Sequence, residues 1–209
     1  MAKNIEIESK TLLDKDTYEK IRQAFIAKSD FIQENYYFDT PDFTLKNNNA
    51  SLRIRLLVNN GEQTLKVKED HPKQDKYHEV VEINDVLSLA RAEQMVHAAA
   101  DNEHFTFGGD AGAYVEEHFG KEVANTLQMF SWSKTRRMII NGPQNCDLTL
   151  DLTEFPDGYY DFELEIENDD PDTIKKVLNE LETQFDFKST KENTNQNKVS
   201  RSFEHRIKK

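Results

Sequence analysis

In the stretch YDFELEIE at 160–167, acidic and apolar residues alternate without a break after the opening tyrosine. A strand sends successive side chains to opposite faces, so Asp161, Glu163, Glu165 and Glu167 share one face and Phe162, Leu164 and Ile166 the other. The pattern therefore predicts a strand, and it predicts something harder to satisfy: four like charges on one surface. Such charges repel weakly in water and strongly when enclosed. The same alternation recurs along the chain. KNIEIESK at 3–10 sets Glu6, Glu8 and Lys10 opposite Ile5 and Ile7. Arg53 and Arg55 stand opposite Leu52, Ile54 and Leu56, and Lys66 and Lys68 opposite Leu65 and Val67. In WSKTRRM, Lys134 and Arg136 are in phase; in DLTLDLT, Asp151 faces away from Leu150 and Leu152.

An antiparallel sheet with one wet face explains alternation in any single strand. A wet face, however, is usually diluted with Thr, Ser, Asn and Gln, whereas these positions are almost purely ionisable. They are also segregated, with acidic first and last strands and basic strands between. A closed barrel with an ion-filled interior accounts for both facts. Its basic strands would hold a polyanion, and its acidic strands a divalent cation such as Mg²⁺ or Mn²⁺. A metal-chelated triphosphate combines the two, with Arg offering forks and Lys point charges to phosphate oxygens. Periodicity carries no further than a polyanion-plus-metal site and names no reaction.

The other segments fit this frame. DKDTYEKIRQAF at 14–25 predicts a helix, with Asp16 and Glu19 as a capping box and Tyr18, Ile21 and Phe25 at helical spacing. FIQENYYFDT is a strand stopped by Pro41, DFTLKNNNA a polar connector, and NNG at 59–61 a hairpin turn. KYHEVVEI alternates again; of Glu79 and Glu82, which lie on opposite faces, Glu79 is preferred as the inward one. From 85 to 129 the chain is mainly helical with a break at 108–109, and strands then return through 167. Pro171 and Asp170 open a further helix, and the basic C-terminal stretch is read as a short one. About eight strands with grouped helices describe an α+β protein on an antiparallel sheet or barrel, read as one domain over 1–209.

Net charge of −12 argues against nucleic acid or an anionic membrane as partner, since either would need basic patches. With one cysteine, Cys146, and no run of about 18 apolar residues, a cytoplasmic protein is expected. The six histidines offer no paired ligand spacing, and neither GxSxG nor a Walker-A loop occurs.

The ordered set Glu6-Ile7-Glu8-Ser9-Lys10, YYFDT at 36–40, Arg53-Ile54-Arg55, Lys66-Val67-Lys68, Lys134 with Arg136, Asp151, Glu163-Leu164-Glu165 and Lys198 resembles the CYTH superfamily, the triphosphate tunnel metalloenzymes. The resemblance implies an eight-stranded antiparallel β-barrel, a tunnel, with flanking helices. It implies Glu6, Glu8, Glu163 and Glu165 as ligands of Mg²⁺ or Mn²⁺. Arg53, Arg55, Lys66, Lys68, Lys134, Arg136 and Lys198 would hold phosphate, and Lys10, Glu79 and Asp151 would be catalytic groups. Arg137, out of phase with Arg136, is read as a surface residue, and Arg201 is either Lys198's partner on one helical face or part of a solvated tail. The implied activity is metal-dependent hydrolysis of a small triphosphate, inorganic triphosphate first. Alternatives are a class IV adenylate cyclase, a thiamine triphosphatase or a non-catalytic polyphosphate- or nucleotide-binding module. The partner implied is a small-molecule triphosphate, and a homodimer is left open.

Overall fold

A computed structural model describes residues 8–68, 80–194 and 196–207. Eight antiparallel strands form one sheet: β1 (Glu8–Leu13), β2 (Ala27–Asp39), β3 (Ala50–Leu56), β4 (Asn60–Lys68), β5 (Val80–Ser88), β6 (Gln128–Asn141), β7 (Asp147–Glu154) and β8 (Tyr160–Glu167). Their order across the sheet is β1-β8-β7-β6-β2-β3-β4-β5. Among the described residues no ladder joins β1 to β5, so backbone pairing leaves those two strands at the edges.

The apolar core lies outside the curved sheet, in two clusters. Helices α1 (Lys15–Ala24) and α6 (Pro171–Phe185) cover the outer faces of β6, β7 and β8, where Tyr18, Ile21, Val177 and Leu181 pack on Leu150 and Leu164. Helices α3 (Leu89–Ala100), α4 (Gly109–Phe119) and α5 (Lys121–Thr126) cover β3 to β5, around Leu52, Ile54, Leu65 and Ile83. Each fully buried aliphatic or aromatic side chain contributes roughly 1.5–3 kcal/mol. Stability thus resides in the shell, and the inner face is left for charge.

Caps explain several boundaries. The cap of α1 is Asp14, whose carboxylate accepts from Thr17 N at 2.7 Å, and not the expected box beginning at Asp16. Asp16 instead sits in the first turn, where an acidic side chain favours the positive end of the helix dipole. The connector after Pro41 contains a one-turn helix, α2 (Thr44–Asn47). Its amides at Leu45 and Lys46 donate to the buried carboxylate of Asp39, 2.8 and 2.9 Å away. The YYFDT segment therefore does structural work through its aspartate. Asp85 does the same for α4, accepting from the amides of Asp110 and Ala111 at 2.9 Å each. Gly109 fits against that carboxylate with positive φ, and a Cβ there would lie about 2.5 Å from it. The final helix, α7 (Lys198–Glu204), is docked by Ser202 Oγ, which bonds Ser131 Oγ at 2.7 Å and Trp132 O at 3.0 Å.

Candidate active site

Strand register assembles the acidic wall. Arg137 on β6 pairs with Asp151 on β7, and Asp151 pairs with Glu163 on β8, so the three stand in one row across the inner face. One step along, Lys10 on β1 is opposite Glu165. Asp151, Glu163 and Glu165 each offer a carboxylate oxygen within 4.8 Å of the others. Asp151 and Glu163 are 0% and 1% exposed. Three enclosed carboxylates at that spacing need cations.

The chain supplies four. Arg137 donates to both oxygens of Asp151, at 2.9 and 2.6 Å, and to Glu165 at 3.0 Å. Lys10 bridges Glu8 at 2.8 Å and Glu165 at 3.1 Å. From α7, Lys198 donates to Asp151 and lies 3.1 Å from Glu163. Arg201, itself buried, reaches Glu163 and Asp161 at 2.7 Å each.

The charges answer one another. Burial pushes Asp151 up, but Lys198 and Arg137 beside it outweigh that and hold it below the usual carboxylate range. Glu165 is held well below that range, burial being overcome by Lys10 and Arg137. Burial pulls Lys10 down, yet Glu165 and Glu8 lift it above an ordinary lysine. Asp161 goes the other way: burial raises it more than Arg201 lowers it.

For Asp151 and Glu165 the folded values are depressed. The stability they contribute is present above about pH 4, where the unfolded groups are ionised, and is lost as pH falls through the folded values. Melting temperature is therefore expected to drop on acidification below about pH 4. Asp151→Asn should lower the neutral plateau and flatten that acid limb, as thermal melts across pH would record. An unchanged limb in the variant would show that the carboxylate is not tied to those cations.

The opposing wall is basic. Arg53 and Arg55 on β3 face inward with Glu62 on β4, each 3.6 Å from its carboxylate, and Arg55 donates to Asn35 Oδ1 at 2.9 Å. Burial and the neighbouring Arg53 push Arg55 down to about 9, with Arg137 adding to the repulsion. Lys66 is ion-paired with Glu82 on β5. In the sheet order β3 stands four places from β8, and β4 four from β7. In an eight-stranded tunnel that separation is the full width.

Several sequence expectations change. Lys134 and Arg136 point outward, pairing on the surface with Glu34 at 3.4 Å and Asp30 at 2.6 Å, their side chains 46% and 45% exposed. The inward basic residue of β6 is Arg137, which the sequence reading assigned to the surface. The signal was available, because Lys134 and Arg136 share parity with Met138 and Ile140, which are buried in the outer core. On β5 Glu82 is an inward acid, opposing Lys66 in the register; Glu79, the one preferred from the sequence, lies outside the described residues. Glu6 lies outside them as well. Lys68, at the end of β4, is exposed. Arg201 is no solvated tail but part of the acidic wall, and Glu62 is an inward acid the alternation argument passed over. Lys10, Arg53, Arg55, Lys66, Asp151, Glu163, Glu165 and Lys198 do converge on the interior, and Glu8 borders it through Lys10. Cys146 is buried and reduced, its thiol pushed up by that burial.

Residues 4–203 match the CYTH domain. The chain belongs to the CYTH family. Over 94 residues it is 36% identical to a Bacillus subtilis (strain 168) protein named "Putative triphosphatase YjbK". That match takes in 43% of this chain and 48% of the relative, about half the relative's length. A Bacillus halodurans crystal structure named as a putative adenylate cyclase superposes with TM-score 0.77 at 29% identity, covering 97% of this chain and all of that one. HpAC1 from Hippeastrum, described as a putative adenylyl cyclase with a dominant triphosphatase activity, also gives 0.77, at 18% identity over 99% of this chain and 97% of its own. At that identity the likeness concerns the fold. The eight-stranded antiparallel architecture with flanking helices is thus the family's tunnel fold. Within it, no helix among the described residues is long and apolar enough to cross a membrane.

Proposed function

We propose that this CYTH protein is a divalent-metal-dependent triphosphatase acting on a small triphosphate, with inorganic triphosphate as the first candidate. One observation carries the reading: the tunnel sets an oxygen-rich acidic wall, Asp151, Glu163 and Glu165, across from a basic wall, Arg53, Arg55 and Lys66. A chelated triphosphate presents the complementary pair of features.

The donor set fits a hard cation, since it consists of carboxylate oxygens alone. Asp151, Glu163, Glu165 and Glu8 would hold Mg²⁺ or Mn²⁺, which when bound neutralises phosphoryl oxygens and polarises water. Arg53, Arg55 and Lys66 bind and orient the anion. Arg55, crowded by like charge, gains most from its arrival. Arg137 and Lys10 span the gap between carboxylates and phosphates and stabilise charge on the transferring group. Positioning and preorganised electrostatics carry most of phosphoryl transfer, and no covalent intermediate is required.

The similarity to a structure named as an adenylate cyclase supports a second reading, cyclisation of ATP. That reading needs a stacking face for the base, which Tyr37 on β2, buried with its hydroxyl 3.2 Å from Ser133 Oγ, or the guanidinium planes of Arg53 and Arg55 would have to supply.

The test sets inorganic triphosphate, ATP and thiamine triphosphate in parallel with Mg²⁺, Mn²⁺ or EDTA, reading released phosphate and cyclic AMP. Phosphate from inorganic triphosphate, abolished by EDTA, is expected. Cyclic AMP from ATP would replace hydrolysis with cyclisation, and binding without turnover would make the tunnel a carrier. The Glu8 side chain is 25% exposed and pairs with Lys10, so Glu8→Gln is expected to keep its fold. It should lose turnover by about 10²-fold or more. Full activity in that variant would remove Glu8 from the metal set.

A further inference from the structure

The carboxylate cluster already carries a cation of its own. The ammonium of Lys198 bonds Asp151 Oδ2 and lies 3.1 Å from Glu163 Oε1, so it rests against two of the three carboxylates whose oxygens converge. Its fit is incomplete. Glu163 Oε1 is buried and accepts no hydrogen bond among the described residues, so its 3.1 Å contact with Lys198 is an ion pair without hydrogen-bond alignment. An ammonium has three donors to place, and this seat uses them poorly.

Charge balance sharpens the point. Asp151, Glu163 and Glu165, with Glu8 and Asp161 beside them, face Lys198, Arg137, Lys10 and Arg201, five negative charges against four positive ones. A divalent cation entering so enclosed a group would leave it net positive, with nothing to offset the excess. Metal can enter at low cost only if a protein cation leaves or an anion comes with it. Arg137 is fixed by three hydrogen bonds on a central strand, and Lys10 bridges two carboxylates along an edge strand. Lys198 stands apart from the sheet, at the first position of α7, on a four-carbon stem with many rotamers. Its head group can swing away without moving a strand.

We propose that Lys198 is an exchangeable counter-cation. In the ligand-free protein its ammonium holds the metal's place between Asp151 and Glu163, and it transfers to a phosphate oxygen when metal and triphosphate arrive together. This rests on the metal assignment of those carboxylates made above. The consequence is thermodynamic coupling: free metal binds weakly, triphosphate strengthens its binding, and the metal strengthens triphosphate binding by the same factor. The tunnel thereby selects the metal–triphosphate complex over the free cation.

The experiment is Mn²⁺ binding to the full-length protein without any phosphate, followed by the electron paramagnetic resonance of free Mn²⁺, with folding checked by circular dichroism. Lys198→Met, which keeps the stem and removes the charge, is expected to bind Mn²⁺ about tenfold tighter or more than the unsubstituted protein, a tenfold gain being about 1.4 kcal/mol. Lys198→Gln is measured beside it, so that loss of fold in one leaves the other readable. Lys198→Arg should retain weak binding. Asp151→Asn should lose binding whatever the lysine does. If Asp151→Asn loses Mn²⁺ while both neutral Lys198 variants bind as weakly as before, the counter-cation role is overturned and the metal assignment stands. If Asp151→Asn leaves Mn²⁺ affinity untouched, the metal assignment fails and the exchange fails with it.

Discussion

Arg137→Ala is expected to destabilise the protein by about 3–5 kcal/mol and to cut triphosphate turnover by about 10²-fold or more. Its sequence neighbour, Arg136→Ala, should change stability by less than about 1 kcal/mol and leave turnover near its starting value. The two residues make similar-looking bidentate pairs. Arg136 grips Asp30 at 2.9 and 2.6 Å, and Arg137 grips Asp151 at 2.9 and 2.6 Å. Their surroundings decide the difference. The first pair is about half exposed, so water replaces whatever is deleted. The second involves a carboxylate with no exposure and extends to Glu165, so deletion takes one of its two cations from each of two enclosed anions and leaves Lys198 and Lys10 to hold them. Arg137→Lys keeps the charge but cannot fork across Asp151 and Glu165, and should fall between the two. Denaturant unfolding and phosphate release on the same preparations decide the matter. A severe Arg136→Ala with a mild Arg137→Ala would reverse the two faces of β6.

That strand also shows where sequence stops speaking. Strands β3 and β8 were legible because one face is apolar and the other polar, ionisable but for Ser51, so parity alone sets inside from outside. On β6 both faces are polar from 133 to 136: Ser133 and Thr135 line the interior, while Lys134 and Arg136 sit half-exposed on the outer face. Charge was taken as the mark of the interior, and there it marked the exterior. Only the apolar parity of Met138 and Ile140, further along, fixes the phase. Strand β5 offered the same clue, since Val81 and Ile83 share parity with Glu79 and leave Glu82 on the other face. The basic C-terminal stretch was legible as a helix but not as an intrusion. What buries Arg201 is the seating of α7 by Ser202 on β6, a contact between residues 71 positions apart. The order of charged strands thus gave the chemistry of the site, and tertiary placement gave its membership.

Arg55→Gln carries an expectation of two opposite signs. Arg55 feels the like charges of Arg53 and Arg137, against which stand the Glu62 carboxylate 3.6 Å away, the neutral amide of Asn35 and the Tyr37 ring. Burial and like charge bring it down to about 9, so the ionised form is less favoured in the fold than in the unfolded chain. The sign follows for a base with a depressed folded value: the protonated group costs stability throughout the range below about 9, and removing the charge removes that cost. Gln retains a donor toward Asn35. The variant should therefore be more stable by on the order of 1 kcal/mol. The same repulsion is what a polyanion relieves, so triphosphate affinity should fall, with KM rising about 10²-fold. Inorganic triphosphate should correspondingly raise the melting temperature of the unsubstituted protein far more than that of the variant. Melts with and without triphosphate, set beside KM, give both readouts. A variant less stable and still able to bind triphosphate would mean that Arg55 holds the tunnel together. The expected pair, higher stability with lost affinity, would mean that the basic wall is strained in order to receive an anion.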